Sequence, residues 1–242
     1  MPDAFSRMEM LLGDAGADRL SRSRIAVFGL GGAGSYAAEA LARCGVASLT
    51  LIDNGKVSVD CINRQLYALH STVGKSKVEI AKARIRDIDE GILVHTYDTF
   101  YNEETAGMFE LSNYDYIIDT MDGVESKVTL IKQAKKYNIP VVSCMWTGNR
   151  TDPFSLEIGD ISRAGGCPLT RRLRSELRKK GIRRLKVLYS KEKPIQKYEG
   201  DLPKGSISFV TGCAGMMLAG TVVKELLEPE IKRKKVRKNK KG

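Results

Sequence analysis

Ile25-Ala26-Val27-Phe28-Gly29-Leu30-Gly31-Gly32-Ala33-Gly34-Ser35 is the stretch that decides the fold. Its first four residues form a short apolar run with β-branched members, which predicts a buried strand. The glycines that follow let the backbone turn sharply and approach a phosphate closely. Residues 36–42 are an alanine-rich helix, whose free N–H groups and positive dipole end face that turn. Gly45 stops the helix. Residues 46–52 read as a second strand, with Asp53 at its carboxyl end, nineteen positions after Gly34. A carboxylate there can accept both hydroxyls of a ribose. Strand, glycine turn, helix, strand and acid together bind a nucleotide, and alone they favour a nicotinamide cofactor.

Outward from this unit, strand and helix patterns alternate. Residues 77–88 predict a helix, 92–97 and 114–118 strands, 127–137 a helix and 139–143 a strand. Such alternation predicts an α/β fold with a Rossmann-like, doubly wound, mostly parallel sheet over residues 25–150. Residues 1–24 carry a helical pattern on Met8, Leu11, Leu12 and Leu20, interrupted by Gly13 and Gly16. Past residue 150 the alternation loosens, and 151–228 reads as a C-terminal extension packed on the sheet. Within it, residues 171–186 form a basic helix-like block opposed by Glu176. No charged residue occurs between Lys204 and Lys224, yet four glycines temper that stretch, so it predicts a buried strand or loop and then a buried helix, not a membrane span. Residues 229–242 hold eight Lys or Arg against one Glu and predict a disordered basic tail.

Composition narrows the class. Forty Lys and Arg against 29 Asp and Glu give a net charge of +11, which favours a polyanionic partner, nucleic acid first. The five cysteines include no pair separated by two residues, which excludes a zinc knuckle and suits reduced thiols. Cys144 and Cys213 read as packing residues, and His70 and His95 lack metal-ligand spacing. The N-terminus shows no basic segment leading into an apolar core, so the expected compartment is the cytoplasm.

Three features move the nucleotide from a hydride carrier toward ATP. Asn63-Arg64-Gln65 follows Asp53 by about ten residues. A guanidinium there can grip the terminal phosphates and stabilise departing pyrophosphate, a task that no dehydrogenase sets. Lys77, opening the helix after Gly74-Lys75-Ser76, suits a second phosphate contact, with Lys75 as the alternative. Asp122, in Asp119-Thr120-Met121-Asp122 at the end of a strand, suits a Mg²⁺ ligand or a helix N-cap.

The ordered set GxGGxGS, Asp, NRQ, GxxKVE and DxxD resembles the ubiquitin-activating-type adenylating enzymes across roughly residues 5 to 228. Within that superfamily, 148–153, Asp160-Ile161, Cys167-Pro168-Leu169, the basic helix from Arg171 and 205–210 are similar to the tRNA threonylcarbamoyladenosine dehydratases. Ala33 departs from the commoner Val, and the basic tail has no counterpart.

The resemblance implies ATP and Mg²⁺ as cofactors, together with a monovalent cation. Gly29, Gly31, Gly32, Gly34 and Ser35 would form the phosphate turn, and Asp53 would hold the ribose. Asn63 and Gln65 would line the pocket, Arg64 and Lys77 would hold phosphates, and Asp122 the metal. Arg7 is similar to an N-terminal arginine that reaches the partner protomer's phosphates. The implied substrate is a tRNA bearing threonylcarbamoyladenosine beside the anticodon, met by Arg171, Arg172, Arg174, Arg178, Lys179 and Lys180. A homodimer and cysteine-desulfurase or sulfur-acceptor partners are implied as well. Against this stand three other readings: an adenylyltransferase of a ubiquitin-like sulfur carrier, an NAD-dependent oxidoreductase, and a scaffold that has lost its chemistry.

Overall fold

The computed structural model describes residues 4–165, 167–195 and 205–239, the last eleven as backbone only. Two short helices, α1 (Ser6–Leu12) and α2 (Asp14–Leu20), lead into β1 (Arg24–Phe28). Then come α3 (Gly32–Ala42), β2 (Ser48–Ile52), α4 (Lys77–Ile88), β3 (Leu93–Tyr97) and β4 (Tyr116–Asp119). They are followed by α5 (Val124–Lys136), β5 (Val141–Cys144), β6 (Leu156–Asp160), α6 (Pro168–Lys179), β7 (Lys186–Ser190) and α7 (Ser208–Asn239).

The seven strands form one sheet in the order β3-β2-β1-β4-β5-β7-β6, parallel except where β6 runs against β7. The chain steps outward from β1 to β3, then restarts on the other side of β1 at β4. Loops after β1 and β4 therefore diverge and leave a crevice at their carboxyl ends.

Side chains of β1 show why both faces must be covered. Ile25 and Val27 join a core built with α3, α4 and α7, while Ala26 and Phe28 point to the opposite core with Leu130 and Ala134 of α5. A third cluster packs Leu169, Leu173 and Leu177 of α6 against Val187 and Tyr189 of β7 and Ile131 of α5. These leucines recur at helical spacing, which leaves Arg171, Arg172, Arg178 and Lys179 of α6 outside.

The C-terminal extension is packed on the sheet, as the sequence predicts, through α7. Ala214, Leu218 and Val222 are buried, and a Cβ placed on Gly215 would lie 2.4 Å from Ala33 O. Helices approach that closely only where one side chain is missing. Residues 208–228 are long and apolar enough to cross a membrane, but one side of the helix is occupied by α3 and the sheet.

Several expectations need correction. Gly16 does not interrupt a helix: it lies buried within α2, and the break falls at Gly13. The basic block 171–186 is not one helix, because α6 stops at Lys179, Gly181 takes φ +76°, and the chain turns into β7. Backbone from 229 to 239 continues α7 where a disordered tail was expected; Lys and Arg favour helix, and Pro229 removes one backbone donor. Residues 240–242 lie outside the described part. Cys213 is exposed on α7, whereas Cys144 is buried.

A candidate nucleotide site at the carboxyl edge of the sheet

A cavity of about 900 Å³ opens where β1 and β4 diverge, lined by Gly31, Gly32 and Ala33, by Thr120, Met121 and Asp122, and by 144–148 after β5. Its outer wall comes from Val59, Asp60, Asn63, Arg64 and His70, and α7 closes one side with Thr211.

The glycine turn is shaped by contact. Gly29 takes φ +90°, and a Cβ there would meet the Thr120 backbone at 3.0 Å. A Cβ on Gly34 would stand 2.0 Å from Gly29 O, so only glycine lets α3 press onto its own strand. Gly31 caps α3 with no side-chain hydrogen bond, leaving the first N–H groups of the helix turned toward the cavity edge. Thr120 Oγ1 donates to Gly29 O at 2.7 Å, joining the β1 and β4 ends.

Asp53 sits behind this turn, outside the cavity wall. Its carboxylate accepts from Leu30 N–H at 2.6 Å and from Gly55 N–H at 2.7 Å, and Lys77 Nζ lies 3.9 Å away. Lys77 is therefore held next to Asp53, while Lys75 is exposed. Arg64 faces the cavity, and its guanidinium donates to the Asp60 carbonyl and, at 3.3 Å, to Asn63 Oδ1. The Asp60 carboxylate lies 3.4 Å from the same guanidinium. A hydrogen bond from Ser58 and the Arg64 charge hold the Asp60 carboxyl below its usual range. Asn63 Nδ2 donates to Ser206 O at 2.9 Å. Asp122 is exposed at the cavity and is not a helix cap, since Gly123 takes that position in α5.

Two expected pocket residues are elsewhere. Ser35 is fully buried, donating to Gly32 O at 3.3 Å and accepting from Leu66 N–H at 3.2 Å, so it ties the glycine turn to the arginine loop. Gln65 is 8% exposed and lies outside the cavity lining. A helical turn places neighbours on different sides, which the motif spacing does not reveal. Arg7 is exposed on α1, away from the cavity. On α6, Arg174 is turned inward and donates to Ile161 O at 2.9 Å and to Ala164 O, so it holds a loop and faces no solvent partner.

Other residues emerge only from the structure. Lys127 is fully buried beneath the cavity, and its ammonium donates to Asp119 Oδ2 at 3.0 Å, Ser143 Oγ at 3.2 Å and Cys144 O at 3.0 Å. The ends of β4 and β5 are thereby pinned together. Arg150, 3% exposed, donates to Trp146 O and Gly148 O at 3.0 Å each and braces the cavity wall. A buried cation at either place leaves no mark in helical or strand periodicity. His70, which lacks metal spacing, lines the cavity rim. Burial pushes the Cys144 thiol up to about 12, so it is protonated and unreactive near neutral pH.

A glycine turn on a helix N-terminus, an acid at the next strand and a cavity at the topological switch define a nucleotide-binding α/β protein with one arginine, Arg64, in the cavity wall. The chain belongs to the ThiF family, whose sequence profile matches residues 5–241. It is 42% identical to the tRNA threonylcarbamoyladenosine dehydratase of Bacillus subtilis (strain 168), over 96% of this chain and 98% of that protein. In structure it is similar to E. coli tRNA N6-threonylcarbamoyladenosine dehydratase in complex with AMP, with TM-score 0.88 and 30% identity, covering 95% of this chain and 96% of the other. The complex of the same E. coli enzyme with ATP superimposes with TM-score 0.87 at 30% identity over the same shares.

Proposed function

We propose that this protein is an ATP-dependent tRNA threonylcarbamoyladenosine dehydratase of the cytoplasm. Supporting the reading above all is one juxtaposition: Arg64, Asp122 and the glycine turn line the same cavity. Similarity to the B. subtilis enzyme over nearly the whole of both chains supports the substrate.

A carboxylate is a poor electrophile because its leaving group would be oxide or hydroxide. In the proposed reaction the threonyl carboxylate attacks the α-phosphorus of ATP, forming an acyl-adenylate and expelling pyrophosphate. The carbamoyl group beside it then attacks the activated carbonyl, gives up a proton, and expels AMP, which keeps one former carboxylate oxygen. The RNA loses one water overall. Positioning and charge stabilisation suffice, and no protein nucleophile takes part.

Each role in this reading is proposed from where the residue lies. Backbone N–H groups of Gly31 to Ala33 meet phosphate oxygens at the α3 dipole. Asp53 accepts from the ribose with the lone pairs that Leu30 and Gly55 leave available, since a carboxylate offers about four acceptor sites. Arg64 steadies the departing pyrophosphate, joined by Lys77 once nucleotide draws it from Asp53. Asn63 orients the loop that carries Arg64. Asp122 fits a Mg²⁺ that arrives with ATP, because phosphate-bound Mg²⁺ needs only one or two protein carboxylates; the ion would neutralise phosphate charge. Among the described residues no cluster of three or more His, Cys, Asp or Glu could hold a metal without the nucleotide. Arg7 serves the partner protomer's site in a homodimer.

The test incubates the protein with ATP, Mg²⁺ and tRNA carrying threonylcarbamoyladenosine, then digests to nucleosides for mass spectrometry. Loss of one water from that nucleoside, dependent on ATP, is expected. An unchanged nucleoside, with AMP transferred instead to the C-terminal carboxylate of a sulfur-carrier protein, would contradict the reading.

A further inference from the structure

We propose that the amino edge of the sheet, beneath α5 and α6, is a second RNA contact that binds the helical stem of the substrate tRNA. This rests on the function proposed above. Helices α5 and α6 each run toward the amino ends of the strands, since α5 delivers the chain to β5 and α6 delivers it to β7. Their last turns and the connection into β7 bring Lys135, Lys136, Arg178, Lys180, Arg183 and Arg184 to one edge, all exposed. A hollow of about 380 Å³ has both Lys135 and Arg184 in its wall, which puts α5 and the β7 connection side by side.

Charge separates this edge from the upper part of the same face. Nearer the cavity, Arg172 lies 3.7 Å from Glu125; in the last turn of α6, Lys179 is taken up by Glu176 at 2.7 Å and so is not one of the six. Glu103 and Glu104 share a hollow of about 450 Å³ with those two glutamates. That region suits no polyanion. At the amino edge, none of the six cations has a carboxylate within salt-bridge distance among the described residues; Asp160 shares the hollow with Lys135 and Arg184, while Asp115 and Glu225 in the adjoining hollow are paired with Arg24 and Lys186. Tyr137, 43% exposed, adds an aromatic face with Lys136 Nζ 5.3 Å from its centre.

Length makes the two contacts compatible. Asp122 precedes the first turn of α5 and Lys136 ends it, so the edge lies roughly 20 Å from the cavity at 1.5 Å per residue. A nucleotide of a loop can enter the cavity while phosphates of its stem reach the edge. Duplex RNA is recognised by shape and backbone charge, which suits separated cations without a base-reading pocket.

The experiment compares the full chain with a Lys135→Glu, Lys136→Glu, Arg183→Glu, Arg184→Glu variant and a milder one with Gln at the same four positions. RNA probes are whole modified tRNA and a loop-only oligonucleotide carrying the same nucleoside. Expected for the Glu variant is a rise in Kd and KM for whole tRNA of about tenfold or more, with kcat unchanged. The slope of log K against log salt should fall by about three, at 0.7–0.9 per lost contact. The Gln variant should show the same change at smaller size, and the loop-only probe should bind all proteins alike. Equal Kd and slope for whole tRNA in all three proteins would overturn the proposal, as would an equal loss on the loop-only probe. Loss of binding to phosphatidylserine vesicles without any change on tRNA would overturn it in favour of a membrane. The binding comparison needs no turnover, so an unmodified protein that converts neither RNA would fault the proposed reaction and leave the surface test decisive.

Discussion

Asp53 accepts a hydrogen bond from Leu30 N–H at 2.6 Å, so the end of the second strand fixes the glycine turn before any nucleotide arrives. One carboxylate thus shapes the glycine turn, and in the proposed reaction it also accepts from the ribose. Asp53→Ala should remove the thermal stabilisation given by ATP with Mg²⁺. It should also lower Tm by roughly 5 °C, from about 1.5–3 kcal/mol for a hydrogen bond to a charged group. Differential scanning fluorimetry checks both; a variant with an undiminished ATP shift would deny Asp53 its ribose role. In the unaltered protein, NAD⁺ should give no shift.

In the proposed reaction Arg64 contributes to chemistry more than to fold. Its ion pair with Asp60 spans 3.4 Å to a carboxylate that is 75% exposed, a pairing of little stability value. Arg64→Ala should hold its Tm within about 2 °C, while pyrophosphate exchange falls roughly 10³-fold, as when cationic clamps on transferring phosphoryl groups are lost. Activity near that of the unaltered enzyme would exclude Arg64 from the phosphate site.

Lys127 behaves in the opposite way. It and Asp119 are fully buried, so Lys127→Met would strand a charge and cost about 3–5 kcal/mol in urea unfolding. Adding Asp119→Leu should recover much of that loss, because an apolar pair can replace a buried ion pair. A single variant as stable as the parent would show that the network is not fully charged.

Glu39 predicts the acid limb of stability. Burial alone would raise its carboxyl, but hydrogen bonds from Arg84, at 2.8 Å, and Arg43, at 2.9 Å, outweigh it and hold the group below its ordinary 4.5. A folded value below the unfolded one stabilises above about pH 4.5 and is lost as pH falls through the folded value. Glu39→Gln should therefore be less stable at pH 7 and show a flatter fall in stability below pH 4.5, measured by urea midpoints. An unchanged slope would assign the acid limb to other carboxylates.

Periodicity and turn chemistry made the sheet legible. The helix at 77–88 begins and ends where the sequence places it, because Ser76 and the Asp89 turn bound a clean apolar stripe. Arg64, Asn63 and Asp122 line the cavity, and the sequence could single them out as candidates because each lies on a loop at the carboxyl edge. Ser35 and Gln65 were misplaced, since motif spacing does not tell which side of a turn faces inward. Lys127 was invisible: on a helix it resembles any solvated cation, and only the closeness of β4 and β5 shows what surrounds it. Gly181 was the missed signal in the basic block, a helix stop inside a run of like charges.

The account stands on carboxylate activation by transfer of AMP. Its most direct measurement uses tRNA whose threonylcarbamoyl carboxylate is labelled with oxygen-18, followed by mass analysis of the released nucleotide. Labelled AMP, formed in step with the cyclic nucleoside, is the predicted result; ADP with label in inorganic phosphate would contradict it.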